Sequence, residues 1–148
     1  MNSHPYLRAY LGGAFVPTLV LPLMLLNFVL ARLVLDVPFP LERFIIFPMA
    51  VVPALFGLWN MLWLASHART RLPIGLHGAI LPFLGAPVGA AVACYLGILE
   101  IGSRTVIWFQ TIQVPILLYA AGFVVVVAVY YLVWKYIVGF ANRALGIA

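Results

Sequence analysis

Residues 83–97 read FLGAPVGAAVACYLG, an apolar run without a charge in which bulky side chains give way to glycine and alanine. It lies inside a longer uncharged stretch, Ala79 to Leu99. A hydrocarbon core about 30 Å thick is crossed by roughly 20 apolar residues of helix, so the stretch is long enough to span a bilayer. At helical spacing Gly85, Gly89, Ala93 and Gly97 recur every fourth residue, and Ala86, Ala90 and Cys94 form the adjacent ridge. The segment GAPVG is a literal GxxxG. Lipid tails are as apolar as leucine, so helices in a bilayer associate mainly through close backbone approach and dispersion. The ridge therefore predicts a helix-packing face, for a neighbour in the same chain or for a second copy.

Three further stretches have the same length and character. The chain has 148 residues, 66% hydrophobic and 7% charged, with a mean hydropathy of +1.17. A soluble domain of this size has too little interior to hide so much apolar surface. The expected fold is an all-α, polytopic membrane protein, a single domain over 1–148 with four proline-kinked transmembrane helices at about 11–35, 44–66, 79–99 and 114–134. Arg8 precedes the first apolar run as in a secretory signal, but the run is longer than a signal core and no small-residue cleavage pattern follows it, so it reads as a retained helix. The single cysteine, Cys94, excludes an intrachain disulfide and a cysteine-cluster metal site; among glycine and alanine it reads as a packed thiol.

The net charge is +5, yet the basic residues stand singly at helix ends and form no stripe, which argues against nucleic acid as a partner. Four crossings put both termini on one side, with Arg8, Arg69, Arg71, Lys135 and Arg143; Arg32, Arg43 and Arg104 fall on the other. The positive-inside bias places both termini in the cytoplasm, and all three acids, Asp36, Glu42 and Glu100, fall on the outer side. The expected location is a bacterial-type inner (plasma) membrane. The basic cytoplasmic face is expected to attract anionic lipid headgroups, at about 1 kcal/mol per residue near the surface.

Tyr6 and Tyr10, Trp59 and Trp63, and Tyr130, Tyr131, Trp134 and Tyr136 suit interfacial belts. SHARTRLPIGLHG, from Ser66 to Gly78, reads as a cytoplasmic loop broken by Pro73 and Gly75. TVIWFQTIQ, from Thr105 to Gln113, suits the outer interface or the first turns of the fourth helix. The tail IVGFANRALGIA is expected to extend that helix. Prolines recur five apart: Pro17 and Pro22, Pro48 and Pro53, Pro82 and Pro87. Each removes an intrahelical hydrogen bond. The freed carbonyls either line a transport path or accompany simple bending; at this spacing the paired prolines do not share one helix face.

Two polar groupings are candidate sites. On the outer side, Asn27, Arg32, Glu100, Gln110 and Gln113 could converge, with Glu100 as the first choice of partner for Arg32. On the inner side, Trp59, Trp63 and His67 repeat every fourth residue beside Asn60. That stripe suits a quinone, a haem edge or a lipid headgroup, or an interfacial belt whose Asn60 bonds across to a neighbouring helix. His67 and His77 are too far apart on the chain, with Pro73 and Gly75 between, for helix spacing to place both on one metal. No catalytic triad, paired metal-binding carboxylates or phosphate loop is legible, and neither a cofactor nor a metal is expected. The sequence thus favours a non-enzymatic component of an oligomer or larger membrane complex, acting through helix packing with itself, other membrane subunits or membrane lipids. A small transporter or channel for an ion or lipidic substrate, and a redox accessory subunit for haem or quinone, are the rival readings.

Overall fold

The computed structural model describes residues 4–36, 41, 45, 49–108 and 112–147. Their order is helix α1 (Pro5–Val34), α2 (Ala50–Thr70), α3 (Ile74–Tyr95), strands β1 (Leu99–Ile101), β2 (Thr105–Trp108) and β3 (Ile112–Pro115), and helix α4 (Ile116–Leu132). A π-helical turn, Val133–Val138, then leads into α5 (Gly139–Ala144). Four helical runs are long and apolar enough to cross a membrane: α1, α2, α3 and the continuous run Ile116–Ala144. These helices suggest an integral membrane protein. Burial inside the chain agrees with a lipid surround, since α4 contains no buried residue and Leu117 and Val124 are 81% and 67% exposed. In water such a surface would cost about 25 cal/mol per Å²; among acyl chains it costs little.

Element ends depart from the expected spans for identifiable reasons. The second and third helices take up most of the expected Ser66–Gly78 loop. Arg71 ends α2 in the left-handed region, at φ 51°, and its N–H bonds to the His67 carbonyl. Pro73 stands extended just before α3, where its missing N–H is harmless and its fixed φ suits a helix entrance. At the other end α3 stops at Tyr95, because Gly97 takes φ +66°. The Gly97 N–H bonds to the Cys94 carbonyl and the Ile98 N–H to the Ala93 carbonyl, the Schellman arrangement that glycine permits without strain. Gly146 repeats this stop after α5, with φ +66° and the Ile147 N–H bonded to the Asn142 carbonyl.

The segment between α3 and α4 corrects the all-helical expectation. Among its described residues it forms an antiparallel sheet in the order β1-β2-β3. Leu99 pairs with Trp108 and Ile101 with Val106; Val106 pairs with Val114 and Trp108 with Ile112. Cross-strand partners share a face, so one face carries Leu99, Ile101, Val106, Trp108, Ile112 and Val114. Glu100, Ile107 and Gln113 form a row on the other. TVIW is β-branched and aromatic, which suits a pleated half-buried strand better than a helical turn. The chain leaves the sheet through Pro115, which stands extended at the entrance to α4.

Helices α1 and α2 pack along each other, as do α3 and α4, and α2 touches α3 only slightly. The π-helical turn joins the two pairs at one end, contacting α1, α3, α4 and α5. Arg8, in the first turns of α1, donates Nη1–H to the Leu145 carbonyl beyond α5 at 2.8 Å, so the chain's two described ends meet at the same end of the bundle.

Candidate functional site

The joined end of the bundle holds an aromatic and amide clasp. Asn60 and Asn142 are both fully buried and exchange their amides: Asn60 Nδ2 donates to Asn142 Oδ1 at 2.7 Å and Asn142 Nδ2 to Asn60 Oδ1 at 3.1 Å. Asn60 Nδ2 also donates to the Ala9 carbonyl at 2.7 Å. One side chain thus ties α2 to both α1 and α5. The approach is close because Gly12 and Gly13 stand opposite: a Cβ on Gly12 would lie 2.6 Å from Asn142 Oδ1, and one on Gly13 would overlap the Phe56 carbonyl.

A second tie links α2 to α3. Trp59 Nε1 donates to the His77 carbonyl at 2.9 Å, and His77 Nε2 lies 2.9 Å from the Trp59 carbonyl. A carbonyl only accepts, so the His77 proton in this bond sits on Nε2. The two rings stack with centroids 4.6 Å apart. Trp134, on the π-helical turn, is fully buried over Gly78, where a Cβ would overlap its indole. Phe56 and Val138 complete this core. A π turn inserts a residue into the helical repeat, and here it accompanies the turn of Trp134 and Val138 inward.

The inner stripe is consequently occupied by the chain itself. Trp59, Asn60 and Trp63 each spend their donors on protein carbonyls or amides, Trp63 Nε1 on the Leu72 carbonyl at 3.1 Å. His67 is exposed and lies against Trp63 with the rings tilted and their centroids 4.6 Å apart. His77 meets the aromatic cluster rather than pairing with His67. Among the described residues no three His, Cys, Asp or Glu side chains converge as a metal site.

Of the described outer polar residues, Glu100 and Gln113 share one face of the sheet, while Asn27 and Arg32 stand on α1. Asn27 is exposed and returns its amide to its own helix, at the Leu23 carbonyl, 2.8 Å away. Arg32 lies in the last turn of α1, Glu100 on β1 and Gln113 on β3. The sheet packs on α3 and α4 while α1 packs on α2 and the C-terminal helices, so Glu100 and Arg32 belong to different parts of the bundle. Gln110, Glu42 and Pro48 lie outside the described residues.

Away from the clasp the helix pairs part around an apolar cleft of about 620 Å³, walled by α2, α3 and α4 and roofed by Trp108 and Val114 of the sheet. The small ridge of α3 divides along its length. Gly85 and Ala86 line the cleft. Gly89, Ala90 and Ala93 stand half-buried beyond it, and Gly97 belongs to the helix stop rather than to a packing face. A Cβ on Gly85 or Gly89 would meet nothing within 4 Å. Cys94 is exposed.

No protein-family model, curated protein or solved structure matches this chain.

Sequence reasoning missed Asn142, Trp134, His77 and the Gly12–Gly13 pair as parts of the clasp. Their signal was present in kind: Asn142 is a polar side chain within a long apolar run, and adjacent glycines within α1 mark a close approach.

Proposed function

We propose that this protein is a non-enzymatic component of a membrane assembly, acting through contact between α3 and a transmembrane helix of another chain. The observation that carries this reading is Gly89. It lies within a membrane-length helix, next to Ala90 and one turn before Ala93, and apart from its own helical turn no described residue of the chain stands within 4 Å of where a side chain would begin. Helices in lipid gain association energy where small residues let backbones approach. A small face left open by its own chain suits a partner from outside it. The clasp favours the same reading, since Trp59, Asn60 and Asn142 spend their side-chain donors on holding the helices together.

The test is the mass of the native particle in mild detergent. The expected result is a particle heavier than one chain with its detergent. In Gly89→Leu it should fall to the single chain, because overpacking a close contact costs about 1–3 kcal/mol. Val124→Leu, on the exposed face of α4, should leave the mass unchanged. A wild-type particle holding one chain, or a Gly89→Leu particle of undiminished mass, contradicts the proposal.

A further inference from the structure

We propose that the cleft between α2 and the α3–α4 pair holds one acyl chain of a membrane phospholipid, drawn from the leaflet on the sheet side. This rests on reading the four long helices as membrane spans, and it is independent of the contact at Gly89.

Lining, shape and ends of the cleft all point to a hydrocarbon chain. Its walls include Val52 and Phe56 on α2, Gly85 on α3 and Gly122 on α4. A water needs two to four polar partners to settle in a cavity, and these walls are mostly apolar, with Trp108, Tyr119 and Tyr130 the lining side chains that carry a polar atom. The cleft is also continuous with the lipid-facing surface of the same helices, so acyl chains are its nearest source of apolar matter. Gly85 and Gly122 deepen it: a Cβ on either would meet nothing within 4 Å.

Its length fits one leaflet. Leu118 and Tyr130 both line the cleft, and along α4 they are separated by about 18 Å at about 1.5 Å per residue. Half of a hydrocarbon core about 30 Å thick is about 15 Å. A volume of about 620 Å³ over that length gives a mean cross-section of about 34 Å². An extended hydrocarbon chain, with carbons in contact at about 3.5–4.0 Å, fits. The inner end is closed by the aromatic clasp at Phe56 and Tyr130. At the outer end Trp108 forms the roof, and Arg104 lies in the β1–β2 turn with its carbonyl bonded to the Ile116 N–H. That places the Arg104 backbone beside the start of α4, at the sheet-side end of the membrane-length run Ile116–Ala144.

The experiment reconstitutes the full chain into vesicles of phosphatidylethanolamine and phosphatidylglycerol. These carry a trace of phosphatidylcholine with a diazirine near the end of one acyl chain. After irradiation, the cross-linked peptides are mapped. The expected result is labelling concentrated on the segments around Gly85 and Gly122, above that at the lipid-facing Leu117 and Val124. Gly122→Phe should lose most of the cleft labelling, and Val124→Phe should keep it. Each variant's thermal melting shows whether it is folded, and Gly85→Val fills the same space should Gly122→Phe not fold. Even labelling over all the spans would mean bulk lipid only, and would overturn the proposal. So would cleft labelling unchanged in folded Gly122→Phe or Gly85→Val. An interchain disulfide from Gly85→Cys in a Cys94→Ala background would seat a second copy there instead.

Discussion

Asn60 shows how one side chain fixes the joined end of the bundle. A buried amide in a low-dielectric surround is costly unless its donors and acceptor are used. Asn60 uses them on Ala9 and Asn142, one group on each of two other helices. Removing one amide leaves its partner stranded, whereas removing both leaves only a small change in packing. Asn60→Leu and Asn142→Leu are each expected to destabilise the bundle by about 1–2 kcal/mol, and the double variant by clearly less than their sum. Asn27→Leu is expected to stay within about 0.5 kcal/mol, because Asn27 bonds only within its own helix. Thermal unfolding in detergent measures all four; additive losses would show that the amides do not act as a pair. That Asn60 bonds across to a neighbouring helix was legible from its position in an apolar run. Its partner was not, because Asn142 follows it by 82 residues, and no local spacing connects them.

Among the elements, α3 best shows what spacing alone can mislead about. Gly85, Gly89, Ala93 and Gly97 have one periodicity but different duties. The first lines the cleft, the next two stand beyond it, and Gly97 terminates the helix through positive φ. A periodic pattern is blind to that difference, since glycine serves close approach and left-handed backbone alike. The two duties separate on substitution. Gly97→Val is expected to cost about 1–2 kcal/mol, the penalty for holding a branched residue in the left-handed region. Gly85→Ala should be nearly neutral, because nothing stands within 4 Å of the added carbon. Reversal of that order in thermal unfolding would show that Gly85 is closely packed and that Gly97 does not act as the helix stop. The sheet was hidden for a related reason: strands of three and four residues are too short for alternation to outweigh the apolar helices on either side.

At the scale of the whole molecule, the four long apolar helices followed directly from composition and segment length, because lipid admits few other ways to satisfy the backbone. The joining of two helix pairs at one end only did not follow from length. It arises from Trp134 over Gly78, His77 against Trp59 and Arg8 beneath Leu145, contacts between residues far apart in the chain. This arrangement leaves the cleft open at the sheet end and puts the connection between α2 and α3 at the opposite end from the β1–β2 turn. The most direct test is two-sided labelling with a membrane-impermeant thiol reagent, using Thr70→Cys and Ser103→Cys, each in a Cys94→Ala background. Both introduced sites are exposed. The cysteine at 103 is expected to react only from outside intact cells, and the one at 70 only after the cytoplasmic side is opened. Labelling of both from the same side would contradict this arrangement.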